Sequence, residues 1–447
     1  MEKVLLVGSG AREHAMADAL VRDGQAALHA AVAVDNPGIT RLAKSVVHTE
    51  SDIQAIVEHC REHEIQFCLV GPEKPLEEGV TDALLKAGFP CAAPSQAAAR
   101  IETNKAFMRS LLEKYDVPGR IAYSETDSLS NAVGFSKNLD WRVAVKPLGL
   151  TSGKGVKVWG DNFQTPGEVE QYIREILSTG MSGHNRVLIE ELLRGQEFTV
   201  HFFCDGNSAI PTPAIQDHKR AYDEDKGPNT GGMGSYSSSD GLLPFLDRQA
   251  YNEAAVIGQK IVDALRVEGC PFKGILYGQF MLTKSGPKII EFNARFGDPE
   301  AMNTLLLLRS SYVDICRAII QGSLTKEMLQ FQPEASVVRY VVPRGYGSQP
   351  EAGKEVIINE SGIRGTGSSL YYASCNLVGE KGSTTKVRTT RSRTLAVAGA
   401  GSDIASAQRK TQDALQFIKG DVYYRNDIGT ADALARKVNV MRELQAE

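Results

Sequence analysis

Glu291 and Asn293 stand two residues apart at the end of an apolar run, in the stretch Lys-Ile-Ile-Glu-Phe-Asn-Ala-Arg-Phe-Gly-Asp-Pro-Glu of residues 288–300. In a strand, side chains two apart share a face. A carboxylate beside an amide oxygen suits Mg²⁺, which takes oxygen ligands and shares its shell with nucleotide phosphates. Arg295 and Asp298 follow on a loop, so an anion-binding guanidinium converges on the same strand end. The preceding segment, 275–283, alternates as a strand, and Lys284-Ser285-Gly286 reads as a three-residue hairpin loop. That loop pairs Thr283 with Pro287 and hence Gln279 with Glu291, which turns Gln279 toward the metal face. A surface hairpin with polar residues on its wet side has the same pattern, and the hairpin alone does not separate the two.

Other segments carry chemistry of the same kind. Gly8-Ser9-Gly10-Ala11-Arg12-Glu13 follows a strand and opens a helix, with Glu where a dinucleotide fingerprint needs its third Gly. Such a turn can still hold a phosphate on backbone N–H groups, with Arg12 adding charge; it is equally a tight strand–helix turn. Glu73 ends a second strand, where it can hold a sugar hydroxyl or an amine, or lie free in solvent. Gly149 to Gly155 is not a Walker loop. Its glycines, with Thr151, Ser152 and Lys154, make a lid able to close over β- and γ-phosphates, and Lys146 reaches the phosphates as a point charge. Glu190, Glu191 and Glu197 follow at a strand edge that can grip an adenine amine and ribose hydroxyls. Asp217-His218-Lys219-Arg220 is a solvated turn or an anion clamp.

The elements that must position these groups fall into three regions. Residues 1–101 alternate strand (4–7, 30–34, 66–70, 90–93) and helix, one helix starting at Ser51, which implies a parallel sheet with ligands at its carboxyl edge. Residues 102–330 hold a helix at 103–115, strands at 142–146 and 156–159 around the Gly-rich lid, further strands at 186–190 and 197–204, a long polar loop at 217–239 and a helix at 247–267. The lid covers about 120–195. Residues 331–447 form an α+β tail, with a basic stretch at 381–393 that reads as a solvated hairpin because no aromatic residues interleave for base stacking.

Composition sets outer limits. The chain has 447 residues, a net charge of −4 and seven Cys with no Cys-x-x-Cys pair. That gives no basic footprint for nucleic acid, apolar runs too short for a membrane span, and buried free thiols of a reducing cytoplasm.

Taken jointly, these segments resemble the ATP-grasp ligases, and among them those that join glycine to phosphoribosylamine in purine synthesis. The resemblance runs the whole length. It is carried by Gly8-Ser-Gly-Ala-Arg-Glu-His-Ala15, Val70-Gly-Pro-Glu-Lys-Pro-Leu76, Gln216-Asp-His-Lys-Arg220, Gly227-Pro-Asn-Thr-Gly-Gly-Met-Gly234, Glu291 to Glu300 and Asp427-Ile-Gly429. It implies an α/β and α+β multidomain fold: a parallel-sheet N-terminal domain, a central ATP-grasp domain and a small α+β C-terminal domain. It implies ATP on Lys105, Lys146, Ser152, Gly153, Lys154, Gly155, Glu190, Glu191, Leu193 and Glu197, and Mg²⁺ or Mn²⁺ on Gln279, Glu291 and Asn293. It implies glycine and phosphoribosylamine on Gly8, Ser9, Gly10, Arg12, Glu73, Asp217, Lys219, Arg220, Arg295, Gly297 and Asp298. Arg295 and Lys154 carry the catalytic roles, in a cytoplasmic monomer or weak homodimer. Another ATP-dependent ligase or carboxylase, a nicotinamide-binding module and an inactive nucleotide sensor are the competing readings.

Overall fold

The computed structural model describes residues 1–148, 155–183 and 185–447. Strands β1 (Glu2–Val7), β2 (Ala26–Ala31), β3 (Val46–Val47) and β4 (Phe67–Val70) make a parallel sheet in the order β3-β2-β1-β4. Its two central strands, β2 and β1, sit between helices and are largely apolar. The second strand lies earlier than expected, at 26–31. The helix expected from Ser51 is capped by Asp52, whose side chain accepts the Ala55 N–H. The strand expected at 90–93 shrinks to one bridge, Cys68 with Cys91, because Pro90 and Pro94 bracket it and cannot donate to a ladder.

The helix expected at 103–115 forms as Lys105–Lys114, and a separate helix, Gln96–Thr103, precedes it. Asn104 breaks the run because its side chain accepts the Phe107 N–H and caps the second helix. Glu102 therefore closes one helix and Lys105 opens the next. Strands β5 (Tyr123–Thr126), β6 (Val143–Pro147), β7 (Lys157–Val158) and β8 (Val187–Glu191) form an antiparallel sheet in the order β5-β8-β6-β7. Helices Leu129–Asn138 and Pro166–Thr179 cover it, and Val143, Val145, Ile173 and Ile189 build a core separate from the main one.

Strands β9 (Gln196–Asp205) and β10 (Ala209–Pro211) lead into the segment 217–239. That segment is not the structureless loop expected of it. Residues 216–237 contain β11 (Gln216–Asp217), β12 (Arg220–Tyr222), β13 (Lys226–Asn229) and β14 (Gly234–Ser237). The polar residues Ser235 and Ser237 are buried because β14 pairs with the C-terminal strand β17, reached below, and the Ser237 hydroxyl hydrogen-bonds that of Ser336. Ladder pairing thus satisfies a backbone that composition alone marks as loop.

Strands β15 (Lys273–Thr283) and β16 (Gly286–Asn293) complete the sheet β10-β9-β15-β16. Here two departures from the expected hairpin cancel. The turn has two residues, Lys284 and Ser285, and pairs Thr283 with Gly286. A bulge between Gln279 and Phe280 then absorbs one residue, Ile290, of β16, and Gln279 still faces Glu291. Without the bulge Glu291 would turn to the opposite face of the sheet.

The C-terminal region holds β17 (Ala335–Pro343), β18 (Glu355–Asn359), β19 (Ser368–Tyr372), β20 (Cys375–Lys381), β21 (Thr384–Thr389), β22 (Leu395–Gly401), β23 (Ile418–Gly420) and β24 (Val422–Tyr423). One sheet runs β11-β14-β17-β22-β19, with β24 beside β17; the other runs β20-β21-β18-β23. One face of the β20–β21 hairpin, with Lys381, Lys386 and Arg388, is exposed as its basic sequence leads one to expect, while Thr385, Val387 and Thr389 on the other face are buried. Arg393 departs from that expectation: its side chain is largely buried, against loops of the central region. All seven cysteines are buried and free. Among the described residues no helix is long and apolar enough to cross a membrane.

Candidate active site

Strands β6, β8, β15 and β16 bring several carboxylates and cations together. Burial works to raise the pKa of Glu291, but Lys219, Lys146, the Asn293 amide and Lys105 outweigh it and hold the carboxyl below its usual range. Asn293 donates its amide to Glu291 Oε1 at 3.2 Å, and Gln279 donates to Glu197 Oε2 at 2.6 Å. Both amides spend their N–H groups on carboxylates, which leaves carbonyl oxygens as acceptors. An ionised carboxylate with neutral oxygen donors is a set that fits a hard divalent cation.

Glu190 is almost fully buried between two cations: Lys146 Nζ at 2.5 Å and Arg109 Nη2 at 2.6 Å. Its first oxygen accepts from Arg109 Nε at 2.7 Å. The same guanidinium donates to the carbonyls of Ile289 and Ile290, at 3.3 and 2.9 Å. Those are carbonyls of the bulge that aims Glu291. Arg109 therefore ties the Lys146–Glu190 pair to the register of the metal strand. Sequence reading missed it, although a charge on the buried stripe Met108, Leu111 and Leu112 was a visible signal. Glu191 Oε1 accepts the Ala122 N–H at 3.0 Å, and Leu193 follows just past β8.

Arg295 sits at the junction with the N-terminal sheet. Its Nη2 is 2.8 Å from Glu102 Oε1, and its Nε is 3.4 Å from Glu73 Oε2, within ion-pair reach but not aligned for a hydrogen bond. Glu102 also accepts the Ala294 N–H at 2.8 Å, which fixes the pair. Burial raises the carboxyl of Glu102 despite Arg295. Burial also opposes ionisation of Glu73, yet Arg295 and Arg12 pull it down to about 2. Arg12 Nη1 donates to the Phe296 carbonyl at 3.1 Å.

The glycine turn departs from the phosphate cradle expected of it in one respect: it already holds a carboxylate. Glu13 Oε2 accepts the Gly10 N–H at 2.8 Å, and Oε1 pairs with Arg12 Nε at 2.5 Å. A Cβ at Gly8 would lie 2.3 Å from Glu13 Cγ, and one at Gly71 would lie 2.3 Å from Glu13 Oε1. Glycine is required on both sides so that Glu13 can pass between β1 and β4. Gly71→Ala is expected to displace Glu13 and lower stability by about 1–3 kcal/mol. Chemical denaturation checks this: Glu13→Ala in the same chain should recover most of the loss, and strictly additive effects would refute the clash. Ser9 Oγ bonds Glu50 and accepts the Ala33 N–H at 2.8 Å.

Asp217 and Glu300 are buried carboxyls, both raised by burial, with Glu300 adding to the effect on Asp217. Asp217 Oδ1 has no partner within the protein. Lys219 Nζ is 3.2 Å from Glu197. Arg220 instead pairs with Asp161 and donates to the Gly227 carbonyl at 3.0 Å, so the four-residue clamp is split between two places. His218 is buried, and burial lowers its pKa, so it adds no cation at neutral pH. The Gly297 N–H donates to His201 Nε2 at 2.9 Å; burial holds that imidazole at about 3, in its neutral form. Asp298 accepts from Tyr340 and pairs with Arg393 Nη2 at 2.8 Å. Arg393 also donates to the carbonyls of Asp298, Gly231 and Gly232 and stacks over Tyr340 at 4.3 Å. Neither Tyr340 nor Arg393 was readable as a site residue, since only strand pairing brings them near residue 298. Ser152, Gly153 and Lys154 lie outside the described residues, and Gly155 accepts from Tyr172 Oη through its carbonyl at 2.8 Å.

A separate antiparallel sheet that carries Lys146 and Glu190, beside a second sheet that carries an oxygen-donor strand, is the arrangement of an ATP-grasp enzyme. Biotin carboxylase of Campylobacter jejuni shares the fold, with a TM-score of 0.75 at 13% identity over 99% of this chain and 98% of that one. Three family models match in succession: the phosphoribosylglycinamide synthetase N domain at residues 2–102, its ATP-grasp (A) domain at 103–301 and its C domain at 336–431. The chain belongs to the phosphoribosylglycinamide synthetase family. Among relatives, a phosphoribosylamine–glycine ligase of Methanobrevibacter smithii is 44% identical over 442 residues, 99% of each chain. One of Methanothermobacter thermautotrophicus is 44% identical over 444 residues, 99% of this chain and 100% of that one. The crystal structure of phosphoribosylamine–glycine ligase from Thermotoga maritima has a TM-score of 0.79 at 25% identity, covering 95% of this chain and all of that one.

Proposed function

We propose that this enzyme joins glycine to 5-phosphoribosylamine with ATP, releasing glycinamide ribonucleotide, ADP and phosphate in purine (IMP) biosynthesis. The observation that carries the reading is the placement of Arg295. Its guanidinium spans Glu102 and Glu73, and Glu291 acts on it electrostatically, so it joins the nucleotide edge to the N-terminal loops.

A carboxylate is a poor acyl donor until one oxygen becomes a leaving group. The glycine carboxylate attacks the γ-phosphorus, ADP leaves, and glycyl phosphate forms. The amine then attacks the acyl carbon, phosphate departs, and the amine sheds a proton. No protein nucleophile is needed; positioning and charge neutralisation supply the catalysis. Lys105 and Lys146 neutralise phosphate charge, Lys154 closes from the lid with Ser152, Gly153 and Gly155, and Glu190, Glu191, Leu193 and Glu197 hold the nucleoside. Arg295 takes the transferring phosphoryl group or the glycine carboxylate. The unpartnered oxygen of Asp217 accepts from an amine N–H, with Lys219, Gly297 and Asp298 around it. Gly8, Ser9, Gly10, Arg12 and Glu73 hold the phosphoribosyl amine. Gln279, Glu291 and Asn293 would hold Mg²⁺ or Mn²⁺, which neutralises β- and γ-phosphate charge when bound.

We place domain limits at 1–101, 102–330 and 331–447, with β11 and β14 of the central domain joining the C-terminal sheet through β17, and a lid at about 120–195 supported by its separate core. The buried free thiols support a cytoplasmic location. We place the chain as a monomer or weak homodimer, which light scattering at assay concentration tests; a stable higher oligomer would refute it. The function is tested by coupled ADP release with glycine and phosphoribosylamine, each omitted in turn. ADP should accumulate catalytically only with both present; undiminished release without glycine would overturn the assignment.

A further inference from the structure

Far from the groups above, three histidines converge on the N-terminal sheet. His29 lies in β2, and His59 and His63 lie four residues apart at the end of helix Ile53–Glu62, where that spacing puts both on one face. One ring nitrogen of each lies within 4.8 Å of one from each of the others. The His59 and His63 ring centroids are 4.4 Å apart, and those of His29 and His63 are 5.1 Å apart. We propose that His29, His59 and His63 form a transition-metal site, suited to Zn²⁺, that staples this helix to β2.

Three features support it. Three imidazoles select borderline ions such as Zn²⁺, Co²⁺ or Ni²⁺ over the hard Mg²⁺ of the ligase centre, and leave a fourth position for water. The Ser45 hydroxyl bridges His29 Nδ1 at 2.6 Å and His59 Nε2 at 3.0 Å, which fixes the orientation of both rings. His63 is the C-cap residue of its helix and is only half-buried, which gives a cation both an entry side and the negative end of the helix dipole. Tetrahedral Zn–N bonds of about 2.0–2.1 Å bring ligand nitrogens to about 3.3 Å apart, so the rings must close by up to about 1.5 Å. The helix returns antiparallel to the strands. Its last turn therefore lies toward their amino ends, away from the Gly8 and Gly71 turns at the carboxyl edge.

The test uses untagged full-length protein in excess Mg²⁺, titrated with Co²⁺. One equivalent should produce the visible d–d bands of a four-coordinate site; Zn²⁺ should bleach them and raise the thermal midpoint. His63→Ala should lose both the bands and the midpoint shift while its Mg²⁺-supported ligase turnover, without Co²⁺ or Zn²⁺, stays unchanged. His63→Cys should restore binding, with an added thiolate-to-cobalt charge-transfer band. Absence of stoichiometric bands in the wild type, or bands that persist in His63→Ala, would overturn the proposal.

Discussion

Glu291→Gln should lower turnover roughly 10³-fold, equivalent to about 4 kcal/mol of transition-state stabilisation, while the protein remains folded. The substitution keeps the shape and removes the charge. Lys219, Lys146 and Lys105 all act on this carboxylate, and the Asn293 amide donates to it. Phosphates bring further negative charge to the lysines, so the divalent cation has to be anchored by a group that stays ionised under burial. Gln retains an oxygen but not the ionic anchor. Arg109 still holds the bulge through the Ile289 and Ile290 carbonyls, so the strand keeps its register. The check is steady-state turnover against Mg²⁺ concentration beside a circular-dichroism melt. Near-normal turnover at saturating Mg²⁺ would remove Glu291 from the metal set.

Arg295→Lys should lower kcat/KM roughly 10²-fold or more, because an ammonium cannot reproduce a fork that meets Glu102 and Glu73 at once. It should also be destabilising by about 1–3 kcal/mol, since a buried carboxylate loses a partner. The pH dependence has a definite sign. Glu73 is held at about 2 in the folded protein, so its contribution to stability is fully present above the unfolded carboxyl value of about 4.3 and is lost as pH falls toward 2. The variant forfeits part of that contribution. Its stability deficit should therefore be widest near neutrality and narrow from about pH 4.3 downward. Paired urea titrations of wild type and variant across that range measure it. A deficit that is flat with pH, together with an unchanged rate, would exclude Arg295 from the site.

Much of the centre was legible because neighbouring residues in one strand obey a rigid period. Glu291 and Asn293 share a face for that reason, and Lys146 ends a strand whose apolar run marks it. The pairing of Gln279 with Glu291 was anticipated through a loop one residue too long and a ladder with no bulge; the structure reaches the same pair by a shorter turn and one bulged residue. Element ends were harder. Asn104 starts the helix at Lys105 because its side chain caps it, and separates it from a preceding helix that went unread, while 217–239 gains strands from a distant edge.

The sequence by itself determined the class of chemistry: oxygen donors two apart on a strand, phosphate-reaching lysines, and motif blocks spread over the whole chain. Only the tertiary structure decided which cation meets which carboxylate. Arg109 reaches Glu190 across 81 residues, and Arg393 reaches Asp298 across 95. Glu13, four residues from Ser9, fills a cradle that its glycines leave open for it. The physical reason is that buried charges in a low dielectric must find partners, and long side chains choose them by distance through space, which spacing along the chain does not encode.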